Sequence, residues 1–151
     1  MNLAQELHLF NPKGIFLSDP IKNTVMPNSI FSRVLYSEPA ATFAGLHLIL
    51  NIEGLNEEKY YQKSRLIFDP VKYGQMVHTV TRIENLILDS VESRKRRVNK
   101  LGPQFQQGIL KSTLQANIFP VRSQYVLKIS GVWETENDYG LTYKIIEVNH
   151  L

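Results

Sequence analysis

Apolar residues along this chain recur mainly at every second position, and one stretch breaks into a helical spacing. Period two marks half-buried strands, and steps of three and four mark an amphipathic helix. Gly14–Leu17 is a short β-like run, followed by a loop punctuated by Pro20, Asn23, Pro27 and Asn28. Ser29–Ser37 carries apolar residues on both faces, as in a strand buried on two sides or a barrel strand. Thr42–Glu53 reads as one long strand, with Ala44, Leu46, Leu48, Leu50 and Ile52 on one face. Gly54–Arg65 is charged and bears tyrosines, which predicts a loop or an irregular helical turn. Asp69-Pro70 then has the form of a helix start, a capping residue before proline at the first helical position. From Met76, Val80, Ile83, Ile87 and Val91 give a helix running to about Val91, with Arg82, Glu84, Asp89 and Glu92 among its polar residues. Gly102-Pro103 breaks the chain, and 94–108 reads as a flexible basic loop. Alternation returns over Ile109–Pro120, with Leu110, Leu114, Ala116 and Ile118 on one face.

The clearest alternation is Gln124–Val148, which holds the single Trp. The polar run Thr135–Asp138, closed by Gly140, predicts a hairpin turn. Pairing Glu134 with Gly140 sets Trp133 opposite Leu141, Gly131 opposite Tyr143, and Ile129 opposite Ile145. That register buries Trp133 and Tyr143 with the other apolar side chains, Tyr143 covering the bare backbone of Gly131. It turns Lys128, Ser130, Thr142 and Lys144 outward, with Val132 and Ile146 among them.

The order of elements predicts an α+β, mostly β fold over a single domain, 1–151. Five strands with a helix between the third and fourth match an OB-like five-stranded antiparallel barrel or curled sheet. A general antiparallel sheet with the helix packed on one face is the alternative.

Composition narrows the function classes. The 151 residues include no Cys, which removes disulfides, thiolate zinc sites and cysteine nucleophiles. The N-terminus lacks a basic start followed by a long apolar run, so no signal peptide is expected. No stretch approaches the roughly 20 apolar residues of a membrane span. An intracellular protein, in the nucleus or cytoplasm of a host cell, is the expectation. The formal net charge of +3 is compatible with a polyanionic partner.

Catalytic signatures are missing from the sequence. His8, His47, His78 and His150 form no zinc-binding pair, and there is no Walker loop, nucleophile elbow or dinucleotide fingerprint. The carboxylates fall in loops, in the turn and on the helix, as a solvated polar surface would place them. A protein that is not an enzyme, with no cofactor and no metal, is expected. A nucleic-acid surface needs cations along the backbone and aromatic platforms for bases. Lys59, Tyr60, Tyr61, Lys63 and Arg65 interleave the two types within seven residues, though a surface loop with half-buried tyrosines reads the same way. Arg33, Arg122, Lys128 and Lys144 are further candidate phosphate contacts, and Phe31, Tyr36, Phe105, Tyr125 and Tyr139 further candidate platforms. Arg94, Lys95, Arg96 and Arg97, followed by Lys100, form the densest basic run. It could grip phosphates, favour the C-terminus of the helix, or serve as a nuclear localisation cluster.

The hairpin string LKISGVWETENDYGLTYKI, Leu127–Ile145, resembles a pattern in single-stranded DNA-binding proteins of DNA viruses. The resemblance covers about twenty residues. It implies a replication-associated, OB-like protein that coats single strands with little sequence preference, DNA favoured over RNA, as a possible homo-oligomer. The alternative is a structural or interaction module that forms an oligomer, such as a virion or assembly component.

Overall fold

The alternating segments become strands because one side of each meets a layer of helix. In a computed structural model, residues 4–52, 56–60, 63–114 and 122–150 are described, except the side chains of 8, 56–60, 63–64, 112–114, 122–123 and 148–150. The strands are β1 (Ala4–Glu6), β2 (Ile15–Leu17), β3 (Ile21–Lys22), β4 (Ile30–Glu38), β5 (Ala41–Ala44), β6 (Leu46–Leu50), β7 (Asn56–Tyr60) and β8 (Lys63–Ile67). Helix α1 (Gly74–Asp89) follows, then β9 (Arg96–Val98), α2 (Leu101–Gln107), β10 (Ile109–Leu114), β11 (Arg122–Glu134) and β12 (Asp138–His150). The fold is α+β and mostly β, with 47% of residues in strands.

The main sheet runs β1-β6-β11-β12-β10-β8-β7, with β4 joined to the turn end of β11 and carrying β2, β3 and β5. This corrects the expected five-stranded antiparallel barrel. The sheet is not closed, and β1–β6, β9–β12 and β10–β12 are parallel pairs. Strand β10 lies beside β12, leaving β11 free to pair with β6 and β4.

Gly45 explains one difference from the alternation. Its φ of +83° is open to glycine and costly for other residues. There the expected single strand Thr42–Glu53 divides, β5 staying on β4 and β6 crossing to β11. The charged stretch 54–65, expected as a loop, contributes the β7–β8 pair. It is held by β10, where Leu110 pairs with Leu66 and both are buried.

Helix α1 has the expected face, burying Val77, Val80, Ile83, Ile87 and Leu88. Asp69 folds the preceding turn, its Oδ1 accepting from Val71 N–H at 2.9 Å and its carbonyl from Tyr73 N–H at 3.2 Å. The helix therefore starts at Gly74, after that turn. The expected flexible loop at 94–108 instead holds β9 and α2. Phe105 is fully buried in the core and anchors α2, and Tyr36, Tyr125 and Tyr139 are buried there too, which corrects the expectation that these four rings are exposed stacking platforms.

Glu84 fixes the start of α2, and it was expected on the solvated face of α1. It is 1% exposed. Its carboxylate accepts from Lys100 N–H at 3.1 Å, Leu101 N–H at 2.9 Å, Gly102 N–H at 3.0 Å and Asn99 Nδ2 at 3.2 Å. An unpaired buried carboxylate is costly; here it satisfies N–H groups that the first turn of a helix leaves without partners.

The β11–β12 hairpin forms about the expected turn in a different register. Glu134 pairs with Tyr139, Trp133 with Gly140 and Gly131 with Thr142; beyond a bulge between Ile129 and Gly131, Ile129 pairs with Tyr143 and Leu127 with Ile145. The extra residue reverses the facing of β11. Leu127 and Ile129 point to the core before it and Val132 after it. Trp133 thus lies on the face opposite Val132, a correction of its expected burial with the core. Phe31, not Tyr143, covers Gly131.

Candidate nucleic-acid interface

Strand register gathers cations that the sequence scatters. His47 pairs with Lys128, Lys128 with Lys144, and Lys111 with Arg65. Ser112 pairs with Ile145 in parallel, so Lys111 stands level with Lys144. Residues directly opposite share a face. His47, Lys128, Lys144, Lys111 and Arg65 therefore form one transverse row over five neighbouring strands, spanning about 19 Å at the usual strand spacing. Their chain neighbours Leu48, Leu127, Ile129, Ile145, Leu110 and Leu66 belong to the core that receives α1 and α2. The row lies on the other face, where Arg65, Lys111 and Lys144 are exposed, Lys128 is half-buried, and His47, Val126 and Ile146 are buried.

Its electrostatics are unfavourable by design of the register. Lys128 and Lys144 face each other directly, an arrangement that destabilises a sheet. Among the described residues, no carboxylate forms an ion pair with Lys111, Lys128 or Lys144. Arg65 stands in register with Glu58 at the β7 end. His47 is 6% exposed, and burial, then Lys128, then Lys144, hold its pKa below the ordinary 6.5. It is neutral at neutral pH, so the three lysines carry the row's charge.

The other expected contacts distribute around this row. Arg33 is exposed and pairs with Gly131, beside Thr142, on the same face. Lys63 pairs with Thr113, and Arg122 with His150; Lys59 pairs with Ser64, out of step with Arg65, and Tyr60 with Lys63. The side chains of these four, and the whole of Tyr61, lie outside the described residues.

The dense basic run is differently placed. Arg96 makes a two-pronged contact with Asp138, Nε–Oδ1 at 2.8 Å and Nη2–Oδ2 at 3.3 Å. Arg97 donates to the Tyr139 hydroxyl at 3.0 Å and pairs with Asp89 at 2.7 Å, tying β9 to the end of α1. Those two partners, the Tyr139 hydroxyl first, push its pKa further up. Arg94 and Lys95 are exposed, but with Arg96 they line a shallow depression of about 630 Å³ whose wall also holds Glu92, Glu134 and Glu136. Three cations face three carboxylates there, so the local charge balances. Lys100 is exposed, and its backbone N–H is held by Glu84.

Sequence reasoning missed Lys111 and His47 as members of the row. The signal for Lys111 was its place after Leu110 in a strand, which turns it away from the core. His47 has the same signal between Leu46 and Leu48, but nothing in the chain shows that it meets Lys128.

No group of three or more His, Cys, Asp or Glu that could hold a metal ion occurs among the described residues. No helix among them is long and apolar enough to cross a membrane. No protein-family model, curated protein or solved structure matches the chain.

Proposed function

We propose that the chain is a non-enzymatic, sequence-tolerant single-stranded nucleic-acid-binding protein, favouring DNA over RNA, whose cationic sheet face takes the strand. The cross-strand row of Lys128, Lys144 and Lys111 carries this proposal. Like charges set side by side cost stability in the free protein, and a polyanion relieves that cost by neutralising them. A single strand suits this face because its phosphates can follow the row of exposed cations. An OB-like relationship and a place in viral DNA replication remain parts of the proposal that rest on the hairpin string.

The test is fluorescence anisotropy of labelled oligo-dT at two salt concentrations, with oligo-U as comparator. Salt-sensitive binding, tighter for dT, is expected. No binding at low salt would remove the proposal.

A second reading, an oligomer-forming module, draws on the exposed apolar Phe16, Val25 and Ile30 in and around β2 and β4. Light scattering after size exclusion distinguishes it: a closed oligomer indifferent to nucleic acid would favour it over the first.

A further inference from the structure

Beyond the cations, the same sheet face carries two aromatic rings laid over glycines. A Cβ on Gly131 would meet Phe31 Cζ at 2.5 Å and Cε2 at 2.7 Å. One on Gly140 would meet Trp133 Cζ2 at 2.8 Å and Cε2 at 3.1 Å. Each ring therefore occupies the space above a bare stretch of backbone. Phe31 pairs directly with Trp133, Trp133 with Gly140, and Ile21 with Phe31, so the aromatic side chains share a row. The indole is further fixed by its own N–H, which donates to the Leu141 carbonyl at 3.2 Å. Both rings are only partly buried.

These features lie on the face of the cation row. Two residues along the strands from Phe31 and Trp133 stand Arg33, Gly131 and Thr142. Four residues along β12 from Gly140 stands Lys144, about 13 Å at the strand rise. Rings held by backbone beneath and by an N–H at the side lose little freedom when a base stacks on them. The apolar flank is supplied by Ile21, which is exposed. A ring serving only to cover glycine would do so equally well without cations along the same face.

We propose that Phe31 and Trp133 form a base-stacking platform, with Arg33 beside it, from which a single strand continues along the Lys128–Lys144–Lys111 row. The proposal rests on the function proposed above and assigns its bases and phosphates to separate rows. Stacking on aromatic side chains is tolerant of sequence because every base presents a π-face.

The single Trp makes the test direct, since all indole emission comes from Trp133. The full chain is titrated with unlabelled oligo-dT while indole emission is read, and binding is followed separately by anisotropy of labelled oligo-dT. An abasic oligomer of equal length supplies phosphates without bases. Quenching that saturates with oligo-dT binding, and none with the abasic strand, is expected. Phe31→Leu should weaken oligo-dT binding about tenfold and leave abasic binding unchanged. Wild-type oligo-dT binding with unchanged emission would overturn the platform, making the rings a structural cover only, while the function proposed above would stand. No oligo-dT binding by anisotropy at low salt would overturn both. The emission measurement needs no variant, so a Phe31→Leu chain that fails to fold does not spoil the test.

Discussion

Removing the Glu84 carboxylate should loosen α2 from the rest of the domain. The side chain is buried, and its two oxygens take three backbone N–H groups and the Asn99 amide. Hydrogen bonds to a charged group contribute about 1.5–3 kcal/mol each, and a lost helix cap costs about 1 kcal/mol and up to 2. Three backbone bonds at the lower figure sum to about 4.5 kcal/mol. Some of that is returned, because the substituted protein no longer desolvates a carboxylate. Glu84→Ala should therefore lose about 3–4 kcal/mol. Glu84→Gln can keep one oxygen on Lys100 and Leu101 N–H while setting its amide against Gly102 N–H, for a loss of about 2 kcal/mol. Urea unfolding with unchanged m-values measures both. A Glu84→Ala protein within about 0.5 kcal/mol of wild type would refute the cap. Tyr143 provides a second readout. Burial, then the Glu84 charge, pushes its pKa up to about 12, and its hydroxyl donates to Gln104 on α2. Glu84→Gln should lower that pKa without returning it to 10, because burial remains; NMR titration of the Tyr143 ring reads the change.

Other outcomes follow from single groups. His47 has a folded pKa below 6.5, so below pH 6.5 the unfolded chain takes up its proton more readily than the fold does. Stability should fall as pH drops through and below that value, and His47→Gln should flatten the dependence, as urea midpoints at pH 7.5 and 5 would show. Tyr143 acts at the other end of the scale: its raised pKa contributes stability that is full below pH 10 and lost as pH rises toward about 12. Tyr143→Phe should reduce that alkaline loss in the same unfolding assay. Gly45→Ala should cost about 1–2 kcal/mol, read from the thermal midpoint, because its φ of +83° is strained for any residue with a Cβ. Contact with Ile129 O at 3.4 Å adds little.

Elements with strong periodicity were legible in the chain: β4, the face of α1, and the turn between β11 and β12. Single residues that redirect a strand were not. Gly45 breaks an unbroken alternation because its backbone, not its side-chain pattern, changes the pairing partner. The bulge near Ser130 reverses the facing of β11 without altering the order of apolar and polar letters, so Trp133 read as core. Strands β7 and β8 are largely polar, and the support from β10 comes from far along the chain, Leu110 pairing with Leu66. Glu84 looked solvated because its partners are backbone N–H groups on a helix that the Gly-Pro pair concealed. The candidate site was hidden for the same reason. Lys128 and Lys144 were visible as an outward pair, but Lys111, Arg65 and His47 join them only through strand order. The basic run 94–97 drew attention by its density, while Asp138, Asp89 and the nearby glutamates that meet it are distant in sequence or across the turn.

The salt dependence of single-strand binding tests the central claim most directly. Each phosphate contact to a single strand contributes about 0.7 to the slope of log K against log salt. Replacing Lys111, Lys128 and Lys144 together by Ser should reduce the slope by about 2 and, by relieving the facing charges, leave the free protein at least as stable. Replacing Arg94 and Lys95 by Ser should leave the slope unchanged. A triple variant that keeps the wild-type slope, or a larger loss from Arg94 and Lys95, would contradict the assignment of phosphates to the cation row.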